Sequence, residues 1–325
     1  MGSSALIYNT AGNNNTAIGS FALSNSSTGS NNAALGTGAL LYVGAGNSNV
    51  AAGVAALRNY SASDAVAIGD SAMYVPSYGI NTAIGSHALF STVGFGDRNT
   101  AVGYYGLYNN YQGIGNCVLG HLAMYSNTNG SDNTAIGLQA LYSNTTGSNN
   151  IALGTASMGL NITGRNNVAI GLNSLATSIG SIGNVGVGNN AMRNCGSVNS
   201  SVAIGDSAMY TTASNNNSNT VVGANALQGN NSGEGNTGIG ARVLKSSYSG
   251  DFNTVAGYWA LTTNGSGSYN VGLGSKSLSS NVSGNYNVAV GNMSLASNIN
   301  GSDFVAIGDS ALTSQNGGIG LNTAV

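Results

Sequence analysis

One short phrase recurs along the whole chain and constrains its fold more than any other feature. Residues 133–137 read Asn-Thr-Ala-Ile-Gly, and residues 150–154, seventeen positions later, read Asn-Ile-Ala-Leu-Gly. Nineteen glycines close such phrases, from Gly2 to Gly308, at spacings of 16 to 18 residues that are mostly 17. Repeats of this length are typical of solenoids, in which each repeat packs against its two neighbours. We therefore predict a single tandem-repeat domain over residues 1–325, with both ends cut within a repeat.

The residue pattern around the closing glycine, called here the anchor, predicts strands. Three residues before the anchor, at position −3, 17 of 19 phrases carry a β-branched residue such as Thr134, and position −1 is always apolar, as in Ile136. Alternate side chains of a strand share a face, so these two positions belong together. Position +4 is always Leu or Met, as in Leu141, which predicts a second short strand. Each phrase then forms one coil of an all-β, narrow parallel β-solenoid of about 19 coils.

Asparagine recurs at position −4 in 16 of 19 phrases. In stacked coils these side chains lie one above another, where each amide can bond the backbone of the neighbouring turn. The sequence therefore predicts a structural asparagine ladder that includes Asn15, Asn81, Asn133, Asn167 and Asn253.

Three phrases break the ladder rule and share a second feature. They carry Ala65, Ser201 or Phe304 at position −4, and they are the three in which Asp follows the anchor directly. We expect the carboxylate of Asp206, for example, to supply the acceptor oxygens that the missing amide would have offered. The alternative is that one phrase was copied three times without any physical coupling between the two features.

Tyrosine recurs at position +5 in consecutive phrases, which predicts rings that stack along the surface. The structural interpretation is that stacking joins neighbouring coils. The functional interpretation is a glycan-binding surface, because neighbouring tyrosines enlarge the same region. The residues of this candidate surface are Tyr104, Tyr105, Tyr108, Tyr111, Tyr125 and Tyr142.

Small residues occupy position −2, between the two strand positions described above. Ala135, Ala169 and Gly186 are examples, and a solvent-facing strand would normally carry polar residues there. A long stripe of small apolar residues suits the close approach of another chain. We therefore predict that these residues form the interface of a parallel homo-oligomer.

Composition argues against several classes of function. Only 5% of the residues are charged, the seven basic residues are scattered, and the net charge is −2, so we expect no binding to nucleic acid. No apolar run approaches the roughly 20 residues of a membrane span, so we expect no membrane insertion.

The residues that could carry chemistry do not cluster. His87 and His121 lie two phrases apart without a recurring acidic partner, and no phosphate-binding or dinucleotide motif occurs. Cys117 replaces the β-branched residue at position −3 and is expected to be buried, whereas Cys195 is expected in a turn. We therefore predict no catalytic, cofactor-binding or metal site, and no enzymatic activity.

The phrases Asn-Thr-Ala-Ile-Gly-x-x-Ala-Leu (133–141) and Ser-Val-Ala-Ile-Gly-Asp-Ser-Ala (201–208) resemble the head repeats of trimeric autotransporter adhesins and the related repeats of phage-type tail fibres. The resemblance covers the whole chain, and the length of about 17 residues is closer to the tail-fibre group. It implies a left-handed parallel β-roll in which three chains wind together as a homotrimer. It also implies a rigid fibre segment for attachment, at the cell exterior or on a virion surface, with a cell-surface glycan or receptor as partner.

Two other functions stay open at this stage. The array starts at its first anchor and stops one residue before the next would come, and neither end reads as a polar cap. Either the chain is a segment of a longer array, or it is a self-assembling filament subunit whose ends stack head to tail. The second alternative is ice binding, which requires a regular threonine array. Threonine occupies position −3 in only eight of nineteen coils, which disfavours it.

Overall fold

The structure is a computed structural model and describes residues 2–75, 79–91, 96–212, 217–316, 318 and 323–324. The chain divides into two compact units, Met1–Arg165 and Asn166–Val325. Each unit is a run of similar coils, and each is described by itself below. The single-domain organisation stays a prediction.

Short parallel strands define the coils of both units. The first unit contains the strands β1 (Thr16–Ile18), β2 (Ala33–Leu35), β3 (Val50–Ala52), β4 (Val66–Ile68), β5 (Thr82–Ile84), β6 (Thr100–Val102), β7 (Cys117–Leu119), β8 (Thr134–Ile136) and β9 (Ile151–Leu153). The second unit contains the strands β10 (Val168–Ile170), β11 (Val185–Val187), β12 (Asn194–Cys195), β13 (Val202–Ile204), β14 (Thr211–Thr212), β15 (Thr220–Val222), β16 (Thr237–Ile239), β17 (Thr254–Ala256), β18 (Val271–Leu273), β19 (Val288–Val290), β20 (Val305–Ile307) and β21 (Thr323–Ala324).

Each strand pairs in parallel with the corresponding strand of the next coil. In the first unit β1 to β9 pair in chain order. In the second unit β10, β11, β13 and β15 to β21 pair in chain order, and β12 pairs with β14. The register holds even where the repeat length changes, since Val50 pairs with Val66 and Thr82 with Thr100. The predicted all-β parallel solenoid with tandem coils is confirmed.

The predicted second strand is wrong, because a turn segment follows each anchor. In the coil of Gly137, the residues at +2 and +4, Gln139 and Leu141, have φ of 56° and 51°, in the left-handed region. The left-handed residues at these two positions turn their backbone N–H groups in opposite directions along the solenoid. The Gln139 N–H donates to His121 of the preceding coil, and the Leu141 N–H donates to Ser157 of the following coil. The segment thus joins both neighbouring coils without strand geometry.

The coil interior is filled from position −2 of the strand and from positions +3 and +4 of the turn segment. Ala135, Ala140 and Leu141 are fully buried together in one coil. The Leu and Met side chains at +4 form a buried column from Leu23 to Leu295. Positions −3 and −1 share a face, as predicted, but that face points outward. For the same reason Cys117, at position −3, is exposed, whereas Cys195 is buried in β12 rather than lying in a turn.

The predicted asparagine ladder is present, and every residue named for it takes part. The amide nitrogens of Asn15, Asn81 and Asn133 donate to the carbonyls of Gly29, Gly96 and Gly147, at 2.7, 3.0 and 2.9 Å. Their side-chain oxygens accept the backbone N–H of the ladder residue in the next coil. Asn167 and Asn253 make the same two bonds in the second unit.

A second asparagine ladder runs at position +7 and was missed in the sequence. Asn127 donates to the side-chain oxygen of Asn110 at 2.7 Å, and Asn144 donates to that of Asn127 at 2.9 Å. Asn144 also donates to the Gly147 carbonyl that Asn133 of the first ladder binds. In this coil the two ladders therefore converge on the buried Gly147 carbonyl, which accepts two hydrogen bonds.

The predicted compensation by aspartate is wrong. The Asp206 carboxylate is exposed and accepts a hydrogen bond from the Ser207 hydroxyl at 3.3 Å, because the position after the anchor faces outward. The residue at the gap, Ser201, itself makes the bond to the next coil. The Ser201 hydroxyl accepts the backbone N–H of Asn219 at 3.2 Å, in the place of an asparagine oxygen.

Candidate binding surfaces

Five aromatic rings at position +5 stack in consecutive coils of the first unit. Their centroids are 5.1 to 5.5 Å apart, and adjacent ring planes differ by no more than 10°. The backbone of each coil repeats the position of the previous one, so identical positions bring rings to stacking distance. The rings of this column, called here the aromatic ladder, are Tyr74, Phe90, Tyr108, Tyr125 and Tyr142.

Further rings at positions +1 and +2 widen the ladder on one side. His87 stacks on Tyr105 with 4.9 Å between centroids, and Tyr105 lies 4.9 Å from Tyr108 of the ladder. Tyr104 meets Tyr105 edge to face at 4.4 Å and lies 5.3 Å from His121. The two histidines, which looked isolated in the sequence, thus belong to one aromatic cluster.

The close packing of this cluster shifts the pKa of two tyrosines. The pKa of Tyr105 is raised first by a side-chain hydrogen bond with Tyr104 and second by desolvation. Burial and then the neighbouring Tyr125 raise the pKa of Tyr108. Both hydroxyls are therefore held in the protonated, neutral state at physiological pH, as donors and acceptors of hydrogen bonds.

The arrangement of the six tyrosines determines which of their groups a glycan could contact. Five of its six residues come together, whereas Tyr111 is exposed and has no stacked ring among the described residues. Stacking within the ladder turns the faces of the inner rings toward one another, so the edges and hydroxyls face solvent. Proteins recognise sugars through aromatic faces as well as through hydroxyl groups, and the inner rings of the ladder offer only their hydroxyl groups. Glycan binding at this surface stays a prediction.

A second surface, called here the apolar face, is formed by the side chains at positions −3 and −1 of the three-residue strands. Leu35, Leu119 and Ile136 at position −1 are 54%, 48% and 37% exposed. Position −3 beside them carries mainly Thr and Val, and neither position holds a charged residue in any of these strands. Where Ala33 and Ala52 replace larger residues, the face has a hollow of about 290 Å³.

The residues predicted to form the subunit interface lie on the opposite side of the strand. Ala135 and Ala169 are fully buried inside the coil. A Cβ at Gly186 would come within 2.8 Å of the Ser174 hydroxyl and 3.3 Å of Leu175, which shows how narrow the interior is. The small size of these residues is therefore imposed by their own coil, and the predicted interface at Ala135, Ala169 and Gly186 is wrong.

Within the described ranges, no group of three or more His, Cys, Asp or Glu side chains is arranged to hold a metal ion. The same ranges contain no helix of the length and apolar character needed for a membrane span. Comparison with protein-family models, curated proteins and solved structures gave no match. Function is therefore inferred from the chemistry of the surfaces of the molecule.

Proposed function

We propose that the chain is a structural fibre or adhesin segment that associates with two further copies of itself through the apolar face. The observation that supports this is the exposure of Ile, Leu and Val at position −1 in coil after coil. An apolar surface of more than a few hundred Å² is uncommon on a protein that stays monomeric. Burial of this surface against other copies removes it from water and stabilises the assembly.

The repeat itself favours identical chains in parallel register. Each coil presents nearly the same pair of side chains at the same height, so a parallel neighbour meets matching residues along its length. The number of three copies rests on the resemblance to trimeric adhesin heads and tail fibres, as does the proposed location at the cell exterior or on a virion surface.

Sedimentation of the purified chain tests the proposal. The wild type is expected to sediment as a trimer. Leu119→Lys combined with Ile136→Lys places charges on the apolar face without touching the coil interior, and is expected to give a monomer. Leu160→Lys is the matched control, because Leu160 is an equally exposed leucine outside this face, and it should leave the trimer intact. A monomeric wild type, or an unchanged trimer in the double variant, refutes the proposal.

Two other functions are distinguished by simple measurements. Electron microscopy of the wild type is expected to show discrete particles, whereas long unbranched fibres would favour the filament subunit. For ice binding, the structure exposes Thr16, Thr100 and Thr254 on the apolar face, but each pairs with an apolar neighbour at position −1. Thermal hysteresis of the purified chain would favour that function.

A further inference from the structure

The first four coils of the first unit carry a groove of about 690 Å³ on the turn segments that follow their anchors. None of its lining residues belongs to the apolar face. Its size falls within the range of about 300–1,000 Å³ that is usual for sites of small ligands. The groove exists because Gly38 and Ala55 occupy position +2 in two of these coils, where other coils place rings such as Tyr105 or Trp259.

Exposed aromatic side chains flank the groove. Tyr8 and Tyr42 occupy position +6 in coils two apart, and Phe21 lies at position +2 of the coil between them. At about 4.8 Å per coil, the two tyrosines are about 10 Å apart along the solenoid. That distance is comparable with a disaccharide in an extended oligosaccharide. In contrast to the aromatic ladder, these rings do not stack on one another, so their faces are free to pack against a ligand.

The polar side chains of the groove are also free. Asn25 and Thr37 make no side-chain hydrogen bond within the described part of the chain, although Asn and Thr side chains elsewhere commonly join coils. Hydroxyl groups of a ligand would satisfy both donors and acceptors of these side chains. A row of free polar groups beside aromatic faces is the combination that recognises the polar rim and the apolar face of a sugar ring.

One charge stands at the end of the groove. The Arg58 guanidinium lies over the Tyr74 ring, 5.7 Å from its centroid, so it is held in place at the start of the aromatic ladder. Among the described residues Arg58 has no ion-pair partner, and no carboxylate lines the groove. Arginine binds carboxylates through two parallel hydrogen bonds, which makes an acidic ligand the complementary one.

We propose that this groove binds an oligosaccharide that carries a carboxylate, with its rings against Tyr8, Phe21 and Tyr42 and its carboxylate at Arg58. The inference rests on the proposed function for its role in attachment. Its binding experiment is separate, because sedimentation reports on the apolar face and titration reports on the groove.

The test is isothermal titration of the full chain with tetragalacturonate and with 3′-sialyllactose, which differ in the source of the carboxylate. Their neutral counterparts are methyl-esterified tetragalacturonate and lactose. We expect at least one acidic sugar to bind, and to bind at least tenfold more tightly than its neutral counterpart. Absence of binding by both acidic sugars, equal binding of the neutral forms, or equal binding of tetraglutamate overturns the proposal.

Two variants locate the binding site. Arg58→Gln is expected to weaken binding of the acidic sugar at least tenfold. Its matched control is Arg193→Gln, because Arg193 holds the same position in its coil over the Tyr210 ring, at 6.0 Å, yet lies outside the groove. Equal effects of the two substitutions overturn the assignment of the carboxylate to Arg58.

The second variant, Gly38→Trp, fills the groove. Gly38 has φ of 66°, and an added Cβ would meet no atom within 4 Å. Trp259 occupies the same position of its own coil with φ of 59°, so the backbone accepts tryptophan there. We expect an unchanged circular dichroism spectrum, an unchanged sedimentation coefficient and loss of sugar binding. Wild-type binding by this variant refutes the groove as the site.

Discussion

Removal of one asparagine from the middle of the first ladder should weaken several coils at once. Asn133 donates to the Gly147 carbonyl at 2.9 Å and to the Asn116 side-chain oxygen at 3.1 Å. Its own oxygen accepts the backbone N–H of Asn150 at 3.0 Å and the side-chain amide of Asn150 at 3.1 Å. Asn133→Ala removes all four bonds, and their three partner residues, Asn116, Gly147 and Asn150, are buried.

The hydrogen-bond partners of Asn133 are affected unequally, and this difference sets the size of the expected loss of stability. The Gly147 carbonyl keeps its bond from Asn144, and the Asn150 amide keeps its bond to Gly164. The buried backbone N–H of Asn150 loses the Asn133 oxygen that accepts its hydrogen bond, at a cost of about 1–3 kcal/mol. Each of the other lost bonds adds about 0.5–1.5 kcal/mol or less, since its partner stays bonded. We expect Asn133→Ala to destabilise the central coils by about 3–5 kcal/mol.

Hydrogen exchange measured by mass spectrometry resolves this loss by segment, which suits a solenoid better than a global transition. Peptides that span residues 133–150 should exchange about a hundredfold to a few thousandfold faster in Asn133→Ala. Asn133→Ser is the control, because Ser201 holds the same ladder position and its hydroxyl accepts the next backbone N–H. Serine should therefore restore part of the protection. Equal protection in the two variants, or a loss below about 0.5 kcal/mol, would refute the reasoning.

Three further predictions follow from the coil interior and from exposure. Leu141→Ala should lower the free energy of unfolding by about 2–5 kcal/mol in urea titration, because Leu141 is fully buried; a loss below about 0.5 kcal/mol would contradict that placement. Burial, followed by two nearby carboxylates, raises the pKa of Tyr60, whose hydroxyl bonds a backbone carbonyl. Below about pH 10 both the folded and the unfolded chain hold this proton, whereas above it the unfolded chain releases the proton first, so stability should fall progressively as the pH rises above about 10. The fall in the urea midpoint should be smaller in Tyr60→Phe, and equal slopes would exclude Tyr60 as its source. A maleimide reagent should label Cys117 rapidly in the monomeric variant with Leu119→Lys and Ile136→Lys, whose apolar face is uncovered, and should label Cys195 only after unfolding; rapid native labelling of Cys195 would contradict its burial.

The periodic features of the sequence predict the periodic features of the structure well. A spacing of about 17 residues between anchors predicts coils, and recurrence of Asn133 and its equivalents predicts the first ladder, because identical positions in stacked coils must meet. The same reasoning extends to the second ladder. Asn110, Asn127 and Asn144 also recur at 17-residue spacing, so this signal was present in the sequence.

The direction of the strand faces was not predictable from periodicity. A period of two shows that Thr134 and Ile136 share a face, but it does not show on which side of the backbone the coil closes. Size decides that question, since the interior at Gly186 has no room for a methyl group without displacement of Ser174. The Leu or Met at position +4 fills the interior beside position −2, so the apolar residue at position −1, such as Ile136, faces outward, although hydrophobicity alone would place it inside.

The candidate surfaces were predictable only in part, because they depend on different columns of the solenoid. The stacked tyrosines occupy one position and were visible as a repeat. Phe90 and His87 join them through equivalent positions held by different residue types, which a search for tyrosine overlooks. The groove depends on Gly38 lacking a side chain beside Tyr42 and Phe21, and such a combination becomes evident only once the coils are stacked.

The two asparagine ladders also set the steps by which such a chain can change length. The ladder bonds repeat in the same pattern from coil to coil, so duplication or deletion of a whole coil leaves each donor facing a matching acceptor. The 16-residue repeat from Gly53 to Gly69 coincides with Ala65, where the ladder asparagine is missing, although Asn49 still reaches the Ala62 carbonyl at 3.0 Å. Length is therefore quantised, and each increment of one coil extends a unit by about 4.8 Å.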